Sequence, residues 1–245
     1  MGELIAVLSG KGGTGKTSLC AGVSTALADM GQRVLCIDCD VGLRNQDISL
    51  GLADVSALSF LEVCRGDYGL EQATAHPSYP NLHFLTAPVS CGIESIDRDA
   101  FVAMVRQGRR LYDYVFLDAP AGIDHGFRLA ATAADRVLLV TGADPAAVRD
   151  AGRAGQLLEL QGKNNVKLIV NRVRPKMVSA MALTVDDVMD DAGLPLIGIV
   201  PEDPNVTFAA AFSQPLPRYS KKGAAAACRR IAKRIMGMPV PMSIR

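Results

Sequence analysis

Short apolar runs alternate along the chain with longer segments in which apolar residues recur at helical spacing. The first run covers residues 4–8, and a glycine-rich segment separates it from a helical pattern over residues 17–30. Six further apolar runs lie at residues 33–38, 82–86, 114–118, 137–141, 167–170 and 196–200. Alternation of this kind is typical of parallel strands joined by helices. We therefore predict one α/β domain over residues 1–245, with a mostly parallel sheet of seven or eight strands and helices on both faces.

Composition and charge narrow the functional classes. The 245 residues include 49% apolar side chains, which is enough for one large core. The formal net charge of +1 gives no overall field that attracts nucleic acid, so we expect nucleic acid to be an unlikely partner. The first apolar run is too short for a signal peptide, and no run reaches the roughly 18 residues of a membrane span. We expect a cytoplasmic protein.

The glycine-rich segment over residues 10–17 reads GKGGTGKT and fits the phosphate-binding pattern G-x-x-x-x-G-K-[ST]. It follows a predicted strand and opens a predicted helix, where backbone N–H groups and the helix dipole favour a phosphate. In this P-loop NTPase pattern Lys16 reaches the β- and γ-phosphates, and the Thr17 hydroxyl binds Mg²⁺. The predicted nucleotide contacts of this segment are Gly10, Lys11, Gly12, Gly13, Thr14, Gly15, Lys16, Thr17 and Ser18.

Acidic residues follow two of the predicted strands. Asp38 and Asp40 come at the end of the second strand, and Asp118 ends the run at residues 114–118. Ligands of open α/β sheets bind beyond the carboxyl ends of the strands, so these acids are expected to face Mg²⁺ and the γ-phosphate. We predict that Asp38 and Asp118 support Mg²⁺ through water. Gly122, in the loop after Asp118, is predicted to offer its N–H to the γ-phosphate.

The loop contains a second lysine, Lys11, and this residue indicates a narrower family than the P-loop pattern alone does. With it, the chain resembles the deviant Walker A family of dimeric ATPases, to which the ParA and MinD types belong. Two stretches resemble the MinD branch of septum site-determining ATPases more closely: IDCDVGLRNQDISLGL at residues 37–52 and DAPAGIDHGFRLAATAADRVLLVT at residues 118–141. Within the first stretch, Cys39 and Gln46 replace residues that are usually small or apolar in this branch, and we expect neither change to affect the chemistry.

The resemblance implies a mechanism and partners. Lys11 would cross a dimer interface to the partner's nucleotide, and Asp40 would position the attacking water. The implied protein is a Mg²⁺-dependent ATPase that is active as an ATP-bound homodimer and takes part in placing the cell-division site. Its implied partners are a division inhibitor and a topological regulator. The predicted catalytic residues are accordingly Lys11, Lys16 and Asp40.

Residues that follow the last two predicted strands point to adenine. Asn171 and Arg172 follow one strand, and residues 201–203 follow the other. An Asn amide matches the donor and acceptor of adenine's edge, and the family has its VNR and PED segments beside the base. The resemblance therefore implies ATP over GTP, and the absence of an N-K-x-D segment agrees with this. The predicted base contacts are Asn171, Arg172, Pro201, Glu202 and Asp203.

Three functional classes stay open at this stage: a division-site regulator, a ParA-like DNA-partitioning ATPase and an ATP-binding scaffold with negligible hydrolysis. The helix around residues 146–153 either faces regulatory partners or is an ordinary solvated surface.

A basic amphipathic helix is predicted at about residues 219–236, followed by a proline-containing tail over residues 237–245. Its apolar positions are Cys228, Ile231, Ala232 and Ile235. It either makes weak contact with an anionic membrane, at the inner face of the cell membrane, or packs onto the domain as a scaffold helix. Of these two alternatives, we favour the scaffold helix.

Overall fold

The computed structural model describes residues 1–41, 44–89, 92–174 and 185–243. Parts of two predicted features, residues 42–43 of the MinD-like stretch and residues 244–245 of the tail, lie outside the described residues. The described strands form one sheet in the order β3-β4-β2-β5-β1-β6-β7-β8, and all neighbours are parallel except β3 and β4. The strands are β1 Glu3–Leu8, β2 Val34–Asp38, β3 Thr74–His76, β4 Tyr79–Leu85, β5 Tyr114–Asp118, β6 Arg136–Thr141, β7 Val166–Val173 and β8 Leu196–Pro201. The predicted α/β class with a mostly parallel sheet is confirmed, and the sheet has eight strands.

Helices connect the strands and cover the sheet. The described helices are α1 Lys16–Asp29, α2 Gln46–Leu50, α3 Phe60–Cys64, α4 Arg98–Leu111, α5 His125–Ala133, α6 Pro145–Leu160, α7 Val185–Ala192, α8 Asn205–Ala211, α9 Leu216–Tyr219 and α10 Gly223–Ile235. Short 3₁₀ turns occur at Leu70–Gln72 and Ile93–Ser95. No described helix is both long enough and apolar enough to span a membrane.

The side chains of the central strand β1 supply both faces of the core. Leu4, Ala6 and Leu8 point into a cluster that includes side chains of α3 to α7. Ile5 and Val7 point the other way, into a cluster with α1, α9 and α10. All five are buried, as expected for a parallel strand covered by helices on both sides. The carboxyl end of β1 therefore emerges in the middle of a covered sheet, where the glycine-rich segment begins.

The C-terminal helix differs from its predicted extent. Residues 216–219 form the separate turn α9, and α10 begins only at Gly223. The break arises because the Asp203 carboxylate accepts the Ala224 N–H at 2.9 Å, which sets a new helix start there. Gly223 has φ of +56°, and a Cβ at this position would lie 2.1 Å from the Asp203 carboxylate. A helix that ran continuously from residue 219 could not make this contact.

Candidate active site

The glycine-rich loop joins β1 to α1 in a conformation suited to an anion. Gly13 and Gly15 have φ of +76° and +85°, a left-handed conformation that glycine adopts without a Cβ penalty. Gly15 precedes the first residue of α1, and no side chain caps that helix start. The first turn of α1 also contains no acidic residue. The N–H groups at this helix start therefore face a site that favours negative charge.

Two glycines let other elements pack closely against the loop. A Cβ on Gly10 would lie 2.6 Å from the carbonyl oxygen of Asp150 in α6. A Cβ on Gly15 would lie 2.4 Å from the Asn171 amide nitrogen. The loop is thus supported from α6 and from the end of β7, which lie far from it in sequence.

The two lysines of the loop occupy opposite environments. Lys16 is only 8% exposed and lies at the first position of α1. Lys11 is exposed, and its ammonium makes no salt bridge to any residue that the structure describes. Its backbone carbonyl accepts a hydrogen bond from Ser9 Oγ at 2.8 Å, which orders the start of the loop. Lys16 thus belongs to the interior of the site, whereas Lys11 lies at its surface.

Asp38 and Asp118 lie side by side at the carboxyl edge of the sheet. They are direct partners in the β2–β5 pairing, and each is 1% exposed. Asp38 accepts the N–H groups of Asp40 at 2.9 Å and Gln46 at 3.3 Å. Neither carboxylate oxygen of Asp118 has a hydrogen-bond partner. The structure therefore places a buried carboxylate pair one strand away from the loop, and within that pair Asp118 is the member without a hydrogen-bond partner.

The pKa values of this pair reflect its burial. Burial raises the pKa of Asp38 to about 6. Burial, followed by repulsion from Asp38, raises the pKa of Asp118 to about 7, and attraction to Lys16 and the adjacent Thr17 hydroxyl oppose the rise. Two neighbouring buried carboxylates are costly to ionise together unless a cation balances them.

These residues fit Mg²⁺. The unpartnered oxygens of Asp118 are free for a metal-bound water, and the Thr17 hydroxyl adjoins them. Mg²⁺ usually keeps several waters and is bound through one or two carboxylates together with phosphate oxygens, which suits this small set of protein oxygens. The buried Thr14 hydroxyl, also without a partner, is a further polar atom left open in the loop.

Asp40 and Gly122 approach the same region from two loops. Asp40 is half-buried, and burial raises its pKa while the Lys16 charge opposes the rise. Gly122 has φ of +96°, and its N–H donates to the Ser9 carbonyl at 3.2 Å. In this structure the N–H predicted to meet a γ-phosphate is therefore engaged by the P-loop itself. To contact a phosphate, the Gly122 N–H must first release the Ser9 carbonyl.

A cavity of about 560 Å³ adjoins α1 and brings together all five residues predicted to contact the base. Its polar lining includes Asn171, Arg172, Glu202, Asp203 and Ser18. Apolar lining comes from Leu19, Val200, Pro201, Pro204, Val206, Leu216, Ala224 and Cys228. The sequence reasoning missed the contributions of α9 and α10, because nothing in their local pattern points toward a base.

The polar groups around this cavity are already engaged within the chain. The Asn171 amide donates to the Thr14 carbonyl at 2.7 Å and so joins the base side to the P-loop. The Asp203 carboxylate accepts the N–H groups of Asn205 and Ala224, both at 2.9 Å. Asp203, predicted as a base contact, is thus committed to holding two helix starts that form the cavity wall.

An exposed ionic group borders the same cavity. Arg172 and Arg174 both bind the Glu202 carboxylate, and these contacts lower the pKa of Glu202 to about 2. Arg172 has φ of +55° and also donates to the Gly13 carbonyl at 3.2 Å. β7 runs to Val173, so Asn171 and Arg172 lie within the strand and do not follow it as predicted. Arg174, the first residue after β7, was missed from the sequence.

A second cavity of about 250 Å³ lies on the outer side of the loop. Lys11, Gly12 and Gly13 line it together with residues 142–144 after β6 and Ala147 of α6. Residues 142–144 were not predicted as site residues. They could have been found by the rule used for Asp38 and Asp118, because they also follow the carboxyl end of a parallel strand.

Gln46 lies closer to the acidic pair than the sequence suggests. Its backbone N–H contacts Asp38, and its side chain is fully buried, with the amide nitrogen 3.1 Å from the Cys20 sulfur. Its side-chain oxygen has no hydrogen-bond partner. The bond to Asp38 comes from the backbone and is independent of the side chain.

The apolar face of α10 is covered by the domain. Cys228, Ile231, Ala232 and Ile235 are at most 4% exposed, and α10 packs on α1 and β8. Gly22 and Gly198 permit this close packing, because a Cβ would lie 2.8 Å from Cys228 or 2.4 Å from Ile231.

Three arginines of α10 bind backbone carbonyls. Arg229 contacts the carbonyls of residues 217 and 220, and Arg230 contacts that of Ser243. Arg234 donates to the carbonyls of residues 197, 240 and 241. The basic side chains of this helix are therefore largely used to hold the C-terminal segment.

Comparison with known proteins agrees with this geometry. Residues 5–216 match the CobQ/CobB/MinD/ParA nucleotide binding domain family. The septum site-determining protein MinD of Synechocystis sp. is 36% identical over 98% of this chain and 92% of its own length. The MinC:MinD cell division protein complex of Aquifex aeolicus superposes with a TM-score of 0.91 at 37% identity, covering 98% of both chains. MinD complexed with Mg-ADP from Pyrococcus horikoshii gives a TM-score of 0.84 at 27% identity, covering 96% of both chains. This chain belongs to the CobQ/CobB/MinD/ParA nucleotide-binding family and, within it, to the MinD-type septum site-determining ATPases.

Proposed function

We propose that this protein hydrolyses ATP as a homodimer, with the Lys11 of each chain completing the site of the other. The main observation in support of this proposal is the contrast between the two loop lysines. Lys16 is buried within its own site, whereas Lys11 is exposed beside the outer cavity and has no anionic partner in the described part of its chain. A cation brought in by a second subunit supplies charge stabilisation only when the dimer forms.

We assign to the other residues the roles expected from the sequence, and their positions support this assignment. The backbone of residues 10–18 and the Lys16 ammonium hold the phosphates, and Thr17, Asp38 and Asp118 hold Mg²⁺, the last two through water. When bound, Mg²⁺ neutralises charge on the phosphate oxygens. Asp40 accepts a hydrogen bond from the attacking water and orients it. Asn171, Arg172 and the loop of residues 201–203 surround adenine.

Replacing Lys11 tests the dimer mechanism. We expect Lys11→Ala to lower the ATPase rate by about 10³- to 10⁵-fold while ATP still binds, because the loop and Lys16 are intact. The specific activity of the parent protein should rise with protein concentration. The matched control is Lys233→Ala, which removes an exposed lysine of α10 and should keep the parental rate. Hydrolysis by Lys11→Ala at the parental rate would show that the dimer mechanism is wrong.

Replacing Asp40 separates binding from hydrolysis. We expect Asp40→Ala to bind ATP and to accumulate as a dimer, because the water is no longer oriented and the dimer is not resolved by hydrolysis. Light scattering in the presence of ATP and Mg²⁺ measures this. A monomeric Asp40→Ala protein under those conditions contradicts the role of Asp40.

We propose a division inhibitor and a topological regulator as partners. The Aquifex MinD structure named above is a complex with MinC, and the present chain matches it along nearly its whole length. In α6, Ala147, Val148 and Ala151 are buried while Arg149 and Arg153 are exposed, so a partner can reach only the charged side of this helix. Co-elution of the ATP-bound protein with a MinC-type protein, and its loss in Arg149→Glu/Arg153→Glu, tests this surface.

We propose a cytoplasmic location, with only weak peripheral attachment to an anionic membrane. The apolar face of α10 is buried, and three of its arginines bind carbonyls, which leaves Lys233 exposed. At about 1 kcal/mol per basic residue, contact through α10 in this position is very weak. The test is ATP-dependent sedimentation with anionic vesicles. A parallel assay with duplex DNA examines the partitioning alternative, which predicts binding that falls steeply with salt.

A further inference from the structure

A basic groove lies on the face of the sheet covered by α4, α5 and α6. It has a volume of about 540 Å³. One lining residue comes from α4, four come from α5 and two follow α6. They are Arg98, His125, Arg128, Leu129, Thr132, Gln161 and Lys163. Three of these seven carry positive charge, and none carries a carboxylate. None of these residues lines either cavity at the P-loop.

The positive charges of the groove are not neutralised within the described chain. Arg98 and Arg128 are exposed and form no salt bridge with any described residue. Lys163 is fixed at the groove wall, because its ammonium donates to the carbonyls of Thr132 at 3.1 Å and Ala134 at 2.8 Å. Guanidinium groups without a partner are well suited to bidentate recognition of carboxylates.

A nearby acid does not cancel this charge. Asp135 is the carboxylate whose attraction raises the pKa of Lys163, against the lowering effect of burial. It is already paired with Arg109 and also accepts the Leu4 N–H at 3.0 Å. Asp135 therefore leaves the groove with net positive charge.

The shape and border of the groove favour discrete carboxylates over a continuous polyanion. A flat anionic bilayer cannot enter a concave groove, and a duplex would bring its phosphates near the exposed acids Asp97 and Asp99 beside Arg98. The overall charge of +1 offers no wider attraction for either. A flexible protein segment with a few Asp or Glu residues can place its carboxylates at the arginines and avoid the border.

We propose that this groove docks an acidic segment of a partner protein, with Arg98 and Arg128 as the two anchoring residues. Docking would contact α5, which begins at His125. The loop just before α5 contains Gly122, whose N–H donates to the Ser9 carbonyl at the P-loop. The proposal is independent of the dimer mechanism, since neither arginine lies in the nucleotide site.

The test is binding of a fluorescein-labelled oligoglutamate peptide to the full-length protein at low salt, followed by fluorescence anisotropy. We expect the parent to bind and Arg98→Glu/Arg128→Glu to bind at least about tenfold more weakly. The matched control is Arg110→Glu, an exposed arginine at the other end of α4, which should change the affinity less than about twofold. The double variant should instead gain affinity for an oligolysine peptide, which shows that it is folded and that the groove is the site.

Three results would overturn the proposal. The first is that the parent protein fails to bind the peptide. The second is that Arg110→Glu weakens binding as much as the double variant does, which would indicate general charge attraction. The third is binding of duplex DNA or phosphatidylglycerol vesicles that is tighter than peptide binding and depends equally on Arg98 and Arg128. That outcome would assign the groove to a different polyanion.

Discussion

The phosphate side and the base side of the nucleotide site are built on opposite principles. On the phosphate side, Asp118 is buried without a hydrogen-bond partner, and Lys16 is buried beside it. On the base side, the Asn171 amide and the Asp203 carboxylate already have partners in the chain. The phosphate side is therefore incomplete without its ligand, whereas the base side is nearly complete. We infer that the phosphates and Mg²⁺ dominate the binding free energy and that the base side mainly sets the shape of the cavity.

Between the two sides, the larger expected effect comes from breaking the phosphate side at Asp118. We expect Asp118→Asn to lower the ATPase rate by about 10- to 100-fold, because a residue that supports metal-bound water is lost. Without nucleotide, the variant should unfold at the same or a higher temperature than the parent, since a buried charge without a partner is removed.

Thermal unfolding with and without Mg²⁺ and ATP measures both effects. The parent should be stabilised by Mg²⁺-ATP, and EDTA should remove much of that stabilisation. Asp118→Asn should show little response to Mg²⁺. A nucleotide-free variant that unfolds well below the parent would mean that Asp118 stabilises the fold and does not await an ion.

A smaller effect is expected from the base side at Asn171. Asn171→Ala removes the bond to the Thr14 carbonyl, and we expect the KM for ATP to rise by about five- to tenfold with kcat nearly unchanged. Steady-state kinetics measures the two constants. Asn165→Ala, at an exposed position before β7, is the matched control. A large loss of kcat in Asn171→Ala would contradict this, because it would mean that Asn171 supports the reaction at the phosphates and not only the binding of the base.

The smallest effect is expected at Arg174. Its ion pair with Glu202 is exposed to solvent, and such pairs are screened and contribute little. We expect Arg174→Ala to change ATP affinity by less than about twofold, as measured by nucleotide titration. Arg172→Ala, which also loses its bond to the Gly13 carbonyl, should change affinity more. Equal effects of the two substitutions would mean that the ionic group acts only through its charge.

The same contrast explains what could be predicted from the sequence. The P-loop is a local motif, and the pairing of Asp38 with Asp118 follows from two parallel strands that end at one edge. The P-loop can be read from adjacent residues, and the placement of both acids at one edge from the ends of their strands, whereas their direct pairing comes from the strand order of the structure. The roles assigned to these residues remain predictions, whereas the α/β fold and the MinD-type family are shown.

Features that depend on distant contacts could not be read in this way. The antiparallel β3 has only three residues, too few for a periodic signal. The engagement of Gly122 by Ser9 and the wall formed by α10 depend on contacts between elements far apart in sequence. The late start of α10 depends on the Asp203 carboxylate, some twenty residues earlier, and no local propensity encodes it.

The position of α10 has a mechanical consequence. Ala224 and Cys228 line the base cavity, and the bond from Ala224 to Asp203 ties the helix to the loop beside it. The exposed Met1 lies at the opposite edge of the sheet, where β1 begins. A reporter fused ahead of Met1 is thus separated from the nucleotide by the length of a strand. Any tension applied to the end of the C-terminal helix, by a fused reporter or by a surface that holds it, reaches the wall of the base cavity through about two turns of helix, from Ile235 to Cys228.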